Sequence, residues 1–161
     1  MSLSIPKISR KVSDISIHCS ATRANLDFYG PQATADIGVK EITEWHKARK
    51  WSTIGYHFVI RRSGLIEVGR NLQSIPAAVE GHNSNMIGIC LVGGVDASNK
   101  AENNYMPEQW ASLKNLITQL REAFPKTRIM GHREYPGVKK ECPCFDVGTW
   151  AKLFHVEKDM R

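Results

Sequence analysis

Apolar and polar residues alternate from Asp14 to Ser20. Ile15, Ile17 and Cys19 fall on one side and Asp14, Ser16, His18 and Ser20 on the other, which predicts a half-buried strand carrying His18 on its polar face. A stretch rich in Gly, Pro, Asp and Asn then runs to about Gly38 and reads as a loop. From Val39 to Lys50, the positions Val39, Ile42, Trp45 and Ala48 or Arg49 recur at helical spacing. Basic residues close this amphipathic helix, as the negative end of the helix dipole favours. Tyr56 to Arg61 and Leu65 to Gly69 are β-rich runs on either side of Arg62, Ser63 and Gly64, the pattern of a hairpin. Ile87 to Val92 is a continuous apolar run ended by Gly93 and Gly94, which predicts a strand buried on both faces.

The strongest helical stripe runs from Pro107 to Phe124, with Trp110, Leu113, Leu116, Ile117 and Leu120 on one side and Pro107 suited to the first turn. Arg128 to Gly131 reads as a last short strand. Irregular sequence continues to about Asp146, and a short helix through Trp150 and Phe154 closes the chain. Strands and helices interleave, which predicts an α/β fold: a single domain over residues 1–161, with its core at about 14–154 and tails at 1–12 and 155–161. Its centre is expected to be a mixed sheet of about five or six strands flanked by two longer helices. Neither the Walker pattern nor GxGxxG occurs, so nucleotide chemistry has no support.

The chain has 161 residues, enough for one core that buries roughly two thirds of the unfolded surface. With 42% hydrophobic and 24% charged residues it has the composition of an ordinary folded protein, neither disordered nor fibrous. Lys and Arg number 22 against 16 Asp and Glu, a net charge of +6 that suits a polyanionic partner: nucleic acid, an anionic membrane surface or an acidic cell wall. The basic residues are scattered and no recognition motif accompanies them, so nucleic acid is not the expected partner. No apolar stretch approaches 18 residues, and the N-terminus lacks a signal-peptide core. These features predict a chain made in the cytosol without membrane insertion. In that setting the four cysteines, Cys19, Cys90, Cys142 and Cys144, suit metal binding or buried free thiols better than disulfides.

Candidate chemistry centres on His18, on His132 at the end of the last short strand, and on the pair Cys142 and Cys144. Catalytic zinc sites take three protein ligands, accept neutral imidazole and thiolate, and keep one position open. Two histidines from strand ends and a loop cysteine meet that need, and on chemistry alone either cysteine could serve. Cys142 and Cys144 form C-x-C, so neither a zinc-ribbon knuckle nor a thioredoxin motif is present. Cys90 and Cys19 fall on apolar faces and read as core thiols. By pattern, Tyr56 shares a face with Phe58 and Ile60 and is packed, Lys140 is a surface lysine, and His46, His57 and His155 have no role. His82, beside Asn83 and Asn85, is a candidate for lining a substrate groove.

HCSAT at 18–22, EWHK at 44–47, GYHF at 55–58, SIP at 74–76 with GHNSNMIGICLVGG at 81–94, and KECPCFD at 140–146 occur in this order. Together, over most of the chain, they resemble the phage lysozymes of the N-acetylmuramoyl-L-alanine amidase type, a family that shares its fold with the peptidoglycan recognition proteins. The resemblance implies hydrolysis of the amide between the lactyl group of N-acetylmuramic acid and L-alanine in peptidoglycan. It implies one zinc ion held by His18, His132 and Cys142, with Cys142 preferred because it precedes the proline, and it implies that Tyr56 and Lys140 assist catalysis. The loop from His132 to Lys140 is longer than the family pattern, which leaves Lys139 open as an alternative to Lys140. The segment after Thr22, through NLDFYGPQ, is also longer and implies a different groove rim. The resemblance implies an endolysin, expected to be a monomer, that acts on the wall or in the periplasm once the inner membrane is opened. Two alternatives stand beside it: a peptidoglycan-binding module that does not cut, and an amidase that also binds a phage RNA polymerase, as a coliphage member does.

Overall fold

The computed structural model describes residues 3–23 and 37–161. The long loop expected before Gly38, with the NLDFYGPQ rim, therefore lies mostly outside the described residues. Among the described residues five strands form the main sheet: β1 (Asp14–Cys19), β3 (Phe58–Ile60), β4 (Ile66–Val68), β5 (Met86–Leu91) and β7 (Arg128–Gly131), in the order β4-β3-β5-β1-β7. β4 runs antiparallel to β3 and the other neighbours pair in parallel, so the sheet is mixed as expected. Among the described residues three α-helices accompany it, α1 (Val39–Ala48), α2 (Pro107–Ala123) and α3 (Val147–Leu153). A pair of two-residue strands, β2 (Thr22–Arg23) and β6 (Gly94–Val95), forms a small parallel ladder that periodicity could not have revealed.

Alternation along the strands sorts the core into two layers. Ile15, Ile17, Phe58, Ile60, Ile87 and Ile89 face α2 and α3, meeting Leu113, Leu116, Leu120 and Trp150. Val59 and Cys90 face the other way and pack against Ile42 of α1. Each fully buried Leu or Ile contributes about 1.5–3 kcal/mol through removal of its side chain from water. Pro107 begins α2, where its missing N–H costs nothing. Asp146 caps α3 by accepting from the Thr149 amide at 2.8 Å.

Three expectations need correction. β1 is buried on both faces, because it is an interior strand between β5 and β7; Asp14, Ser16 and His18 are inside the protein and not half in water. Their polarity is met by partners: the Asp14 carboxylate accepts from Arg128 Nε at 2.8 Å and from the Tyr135 hydroxyl at 2.9 Å. In α1 the buried residues are Ile42 and His46, while Trp45 stays 42% exposed at the rim. Tyr56 lies before β3 begins and packs with the Val59 and Cys90 layer, not with Phe58 and Ile60.

The two expected tails are also part of the fold. Leu3, Ile5 and Ile8 pack on the main core, and the C-terminal segment covers the open edge of β7, where the Ile129 amide donates to the Lys158 carbonyl at 2.7 Å. An unpaired edge would otherwise expose its backbone groups.

Candidate metal centre

His18 is the penultimate residue of β1, and His132 follows directly on β7 at the start of a short 3-10 helix, His132–Glu134. Because β1 and β7 are parallel neighbours, both side chains arrive at the carboxyl end of the sheet, where open α/β sheets place their ligands. The loop after the 3-10 helix returns to the same point and delivers Cys142. The donor atoms of His18, His132 and Cys142 all lie within 4.8 Å of one another.

The fine geometry suits a metal. His18 Nδ1 and His132 Nδ1 face each other at 3.2 Å. Two nitrogens each about 2.0–2.1 Å from one tetrahedral zinc would be about 3.3 Å apart. Facing lone pairs at that distance repel unless a cation or a proton lies between them. His18 Nε2 is 2.6 Å from Ser16 Oγ, whose hydroxyl has acceptors in Met86 Sδ at 2.9 Å and the Ile87 carbonyl at 3.4 Å. With its proton directed to those acceptors, Ser16 receives the Nε2–H of His18 and leaves Nδ1 bare toward the centre. Burial, then the charges of His132 and Lys140, hold the His18 pKa well below its ordinary value, and burial followed by Lys140 lowers that of His132. Both rings are therefore neutral at pH 7 and available as ligands. The Cys142 sulfur accepts from the Cys19 amide at 3.2 Å.

The centre opens into a cavity of about 210 Å³ whose walls include Ser20, Trp45, His46, Arg49, Tyr56 and Lys140. Two larger depressions adjoin it, one along Trp51, Ala78, Asn83 and Val138 and the other along Val95, Asn99, Lys100 and Cys144. Lys140 lines all three, whereas Lys139 lines only the depression along Trp51 and Val138, so the structure brings Lys140 to the donors. The Tyr56 ring is 5.2 Å from that of His18. Burial, then the Cys90 and Cys142 thiols, pushes the Tyr56 hydroxyl well above its ordinary pKa, so it remains a proton donor.

His82 is not on the wall beside His132; it packs on Tyr135 at 5.3 Å, and its neighbour Asn83 lines the groove. Cys144 stays outside the donor group, with its sulfur 3.8 Å from that of Cys19. Cys90 is fully buried, as read from its apolar run, and all four cysteines are free. His57 is buried, and His155 is remote from the centre's walls.

Two residues escaped the sequence reading. Ser16 orients His18, and its signal was its position two residues away on the same strand face. His46 accepts from the Gly55 amide at 2.9 Å and packs in tilted contact with Trp51, ring centres 4.5 Å apart, and with Tyr56 at 5.6 Å. Its signal was the i, i+4 relation to Ile42.

Comparison with known proteins agrees with this geometry. The family model described as N-acetylmuramoyl-L-alanine amidase matches residues 9–145. The chain is 41% identical over 143 residues to the endolysin of Enterobacteria phage K11, covering 89% of this chain and 87% of that one. Among solved structures it is similar to the N-acetylmuramoyl-L-alanine amidase LysC from Clostridium intestinale URNW, with a TM-score of 0.73 and 26% identity over 92% of this chain and 88% of that one. Drosophila PGRP-LB shares the fold, with a TM-score of 0.68 at 24% identity over 96% of this chain and 88% of that one.

Proposed function

The chain belongs to the N-acetylmuramoyl-L-alanine amidase family, and from that premise we propose that it is a zinc-dependent endolysin of a phage or prophage. The bond cut is the amide joining the lactyl group of N-acetylmuramic acid to L-alanine in peptidoglycan. The observation that carries this reading is the convergence of His18, His132 and Cys142, the last two on the wall of a cavity that Tyr56 and Lys140 also line. This donor set leaves room for a fourth position, the arrangement of catalytic rather than structural zinc sites.

Bound there, zinc supplies Lewis acidity that activates water and polarises an amide carbonyl. The chain's own residues do the rest. Ser16 fixes the tautomer of His18. Tyr56, kept protonated, and the Lys140 ammonium present donors to the oxygen on which negative charge develops. One of them passes a proton to the departing alanine nitrogen, which must leave as an amine. Each such donor accounts for about a hundred- to a thousandfold in rate. His46, itself packed against Trp51, lies against the Tyr56 ring at the cavity wall.

The +6 net charge suits a polyanionic wall. Among the described residues no helix is long and apolar enough to cross a membrane. The proposed enzyme reaches its substrate in the periplasm or at the wall after the inner membrane is opened.

The test is zinc stoichiometry together with release of peptide stems from purified wall. Cys142→Ser is expected to lose both. Cys144→Ser should keep both, and Lys140→Ala and Tyr56→Phe should keep zinc while kcat falls by about a hundred- to a thousandfold. Full activity in Cys142→Ser would overturn the ligand assignment, and wall binding without stem release by the zinc-loaded wild type would make the protein a binding module.

A further inference from the structure

We propose that Cys19 and Cys144 are a site of reversible oxidation, closing to a disulfide that fastens the loop carrying Cys142 to the end of β1. The two sulfurs are 3.8 Å apart and both thiols are free. A disulfide needs about 2.05 Å between them, so closure asks for a displacement of under about 2 Å, within the reach of small side-chain rotations.

Both partners are held in place. Cys19 sits on β1 against Gly94, packed so closely that a Cβ on that glycine would lie 2.8 Å from the Cys19 Cβ. Across from it, the Tyr105 hydroxyl donates to the Pro143 carbonyl at 2.6 Å, the Arg133 amide to the Cys142 carbonyl at 2.9 Å, and the Cys144 amide to the Glu141 carbonyl at 2.8 Å. Strand alternation sends the Cys19 side chain to the face opposite His18, so a bond to Cys144 takes no donor away from the metal centre.

Access fixes the order of events. Cys144 is half-buried and lines an open depression with Asn99 and Lys100, while Cys19 is 6% exposed. Cys144 therefore meets the oxidant first, a small-molecule disulfide such as oxidised glutathione. Its sulfur, giving up its proton to solvent, attacks one glutathione sulfur, expels one glutathione and leaves a mixed disulfide. The Cys19 sulfur then attacks the Cys144 sulfur, expels the second glutathione and closes the bridge. The chain loses two protons and two electrons, and the disulfide reagent is reduced to two thiols. Such oxidants persist outside the cytosol, so the bridge forms after export from a reducing compartment. The closed loop spans most of the chain, which restricts the unfolded state strongly.

The experiment does not depend on the amidase reading, because it is read by mass. The full chain, loaded with zinc, is incubated with oxidised glutathione and mapped by mass spectrometry without reduction. The expected product has lost two hydrogens, joins the peptides of Cys19 and Cys144, and leaves Cys142 open to alkylation once zinc is chelated. Its melting midpoint rises by several degrees, and Cys144→Ser shows neither the cross-link nor the rise. Retention of four alkylatable thiols, or a cross-link through Cys142, would overturn the proposal.

Discussion

Ser16 decides which nitrogen of His18 looks into the cavity. Its oxygen lies 2.6 Å from Nε2, and its own proton has Met86 and the Ile87 carbonyl to go to. Ser16→Ala removes the acceptor, so His18 loses the interaction that fixes its tautomer, and its buried Nε2–H loses its partner. Zinc affinity is expected to fall about ten- to a hundredfold, measured by competition with a chromophoric chelator, with the far-ultraviolet circular dichroism unchanged. An affinity equal to that of the wild type would show that the ring is held by packing alone. The grouping of His18, His132 and Cys142 was legible through the segments that carry the family resemblance, while the residue types alone left Cys142 and Cys144 open. The sequence hid Ser16 and His46, because a serine inside a strand and a histidine inside a helix look like any others until burial shows that their polar atoms have partners to meet.

At the scale of elements, the centre depends on three segments arriving together: the end of β1, the end of β7 and the loop between the 3-10 helix and α3. The first two are fixed by eight ladder-paired positions, Asp14 to Ile17 with Arg128 to Gly131. The third has no regular structure and relies on side chains. Tyr105, 9% exposed, donates its hydroxyl to the Pro143 carbonyl, next to Cys142. Tyr105→Phe keeps the ring packing against Trp110 and Phe145 but leaves a buried carbonyl without that donor. Unfolding free energy should drop by about 1–3 kcal/mol in urea titrations, and zinc should dissociate faster. Unchanged zinc dissociation would mean that the loop is held by its backbone bonds instead. Periodicity predicted the main helices and strands to within a few residues because each buries an apolar face at 2- or 3.6-residue spacing. It misjudged β1, where alternation reflects a buried polar cluster rather than water, and it missed β2 and β6, which are too short to have a period.

At the scale of the whole molecule, buried neutral histidines set the acid limit of stability. His57 is fully buried; its Nδ1 accepts from the Gly88 amide at 3.1 Å, and its Nε2 donates to the Ser74 carbonyl at 2.8 Å. The neutral ring satisfies both partners, whereas a second proton would abolish the acceptor and add charge near Arg10, whose Nη2 is 3.4 Å from Nε2, and near Arg70. Burial is the main cause that lowers its pKa from 6.5 to about 4, against the raising effect of the Ser74 carbonyl. The unfolded chain therefore takes up a proton near pH 6.5 that the folded chain refuses until about pH 4. The stability held above the higher value is lost as pH falls through this window, by on the order of 3 kcal/mol for this one ring. His18 and His132, also lowered, act in the same direction in the metal-free protein. Urea unfolding of chelator-treated protein between pH 7 and pH 4.5 should show this decline, and His57→Gln, though less stable at pH 7, should show a shallower one. Parallel pH profiles for the two proteins would place the acid sensitivity elsewhere.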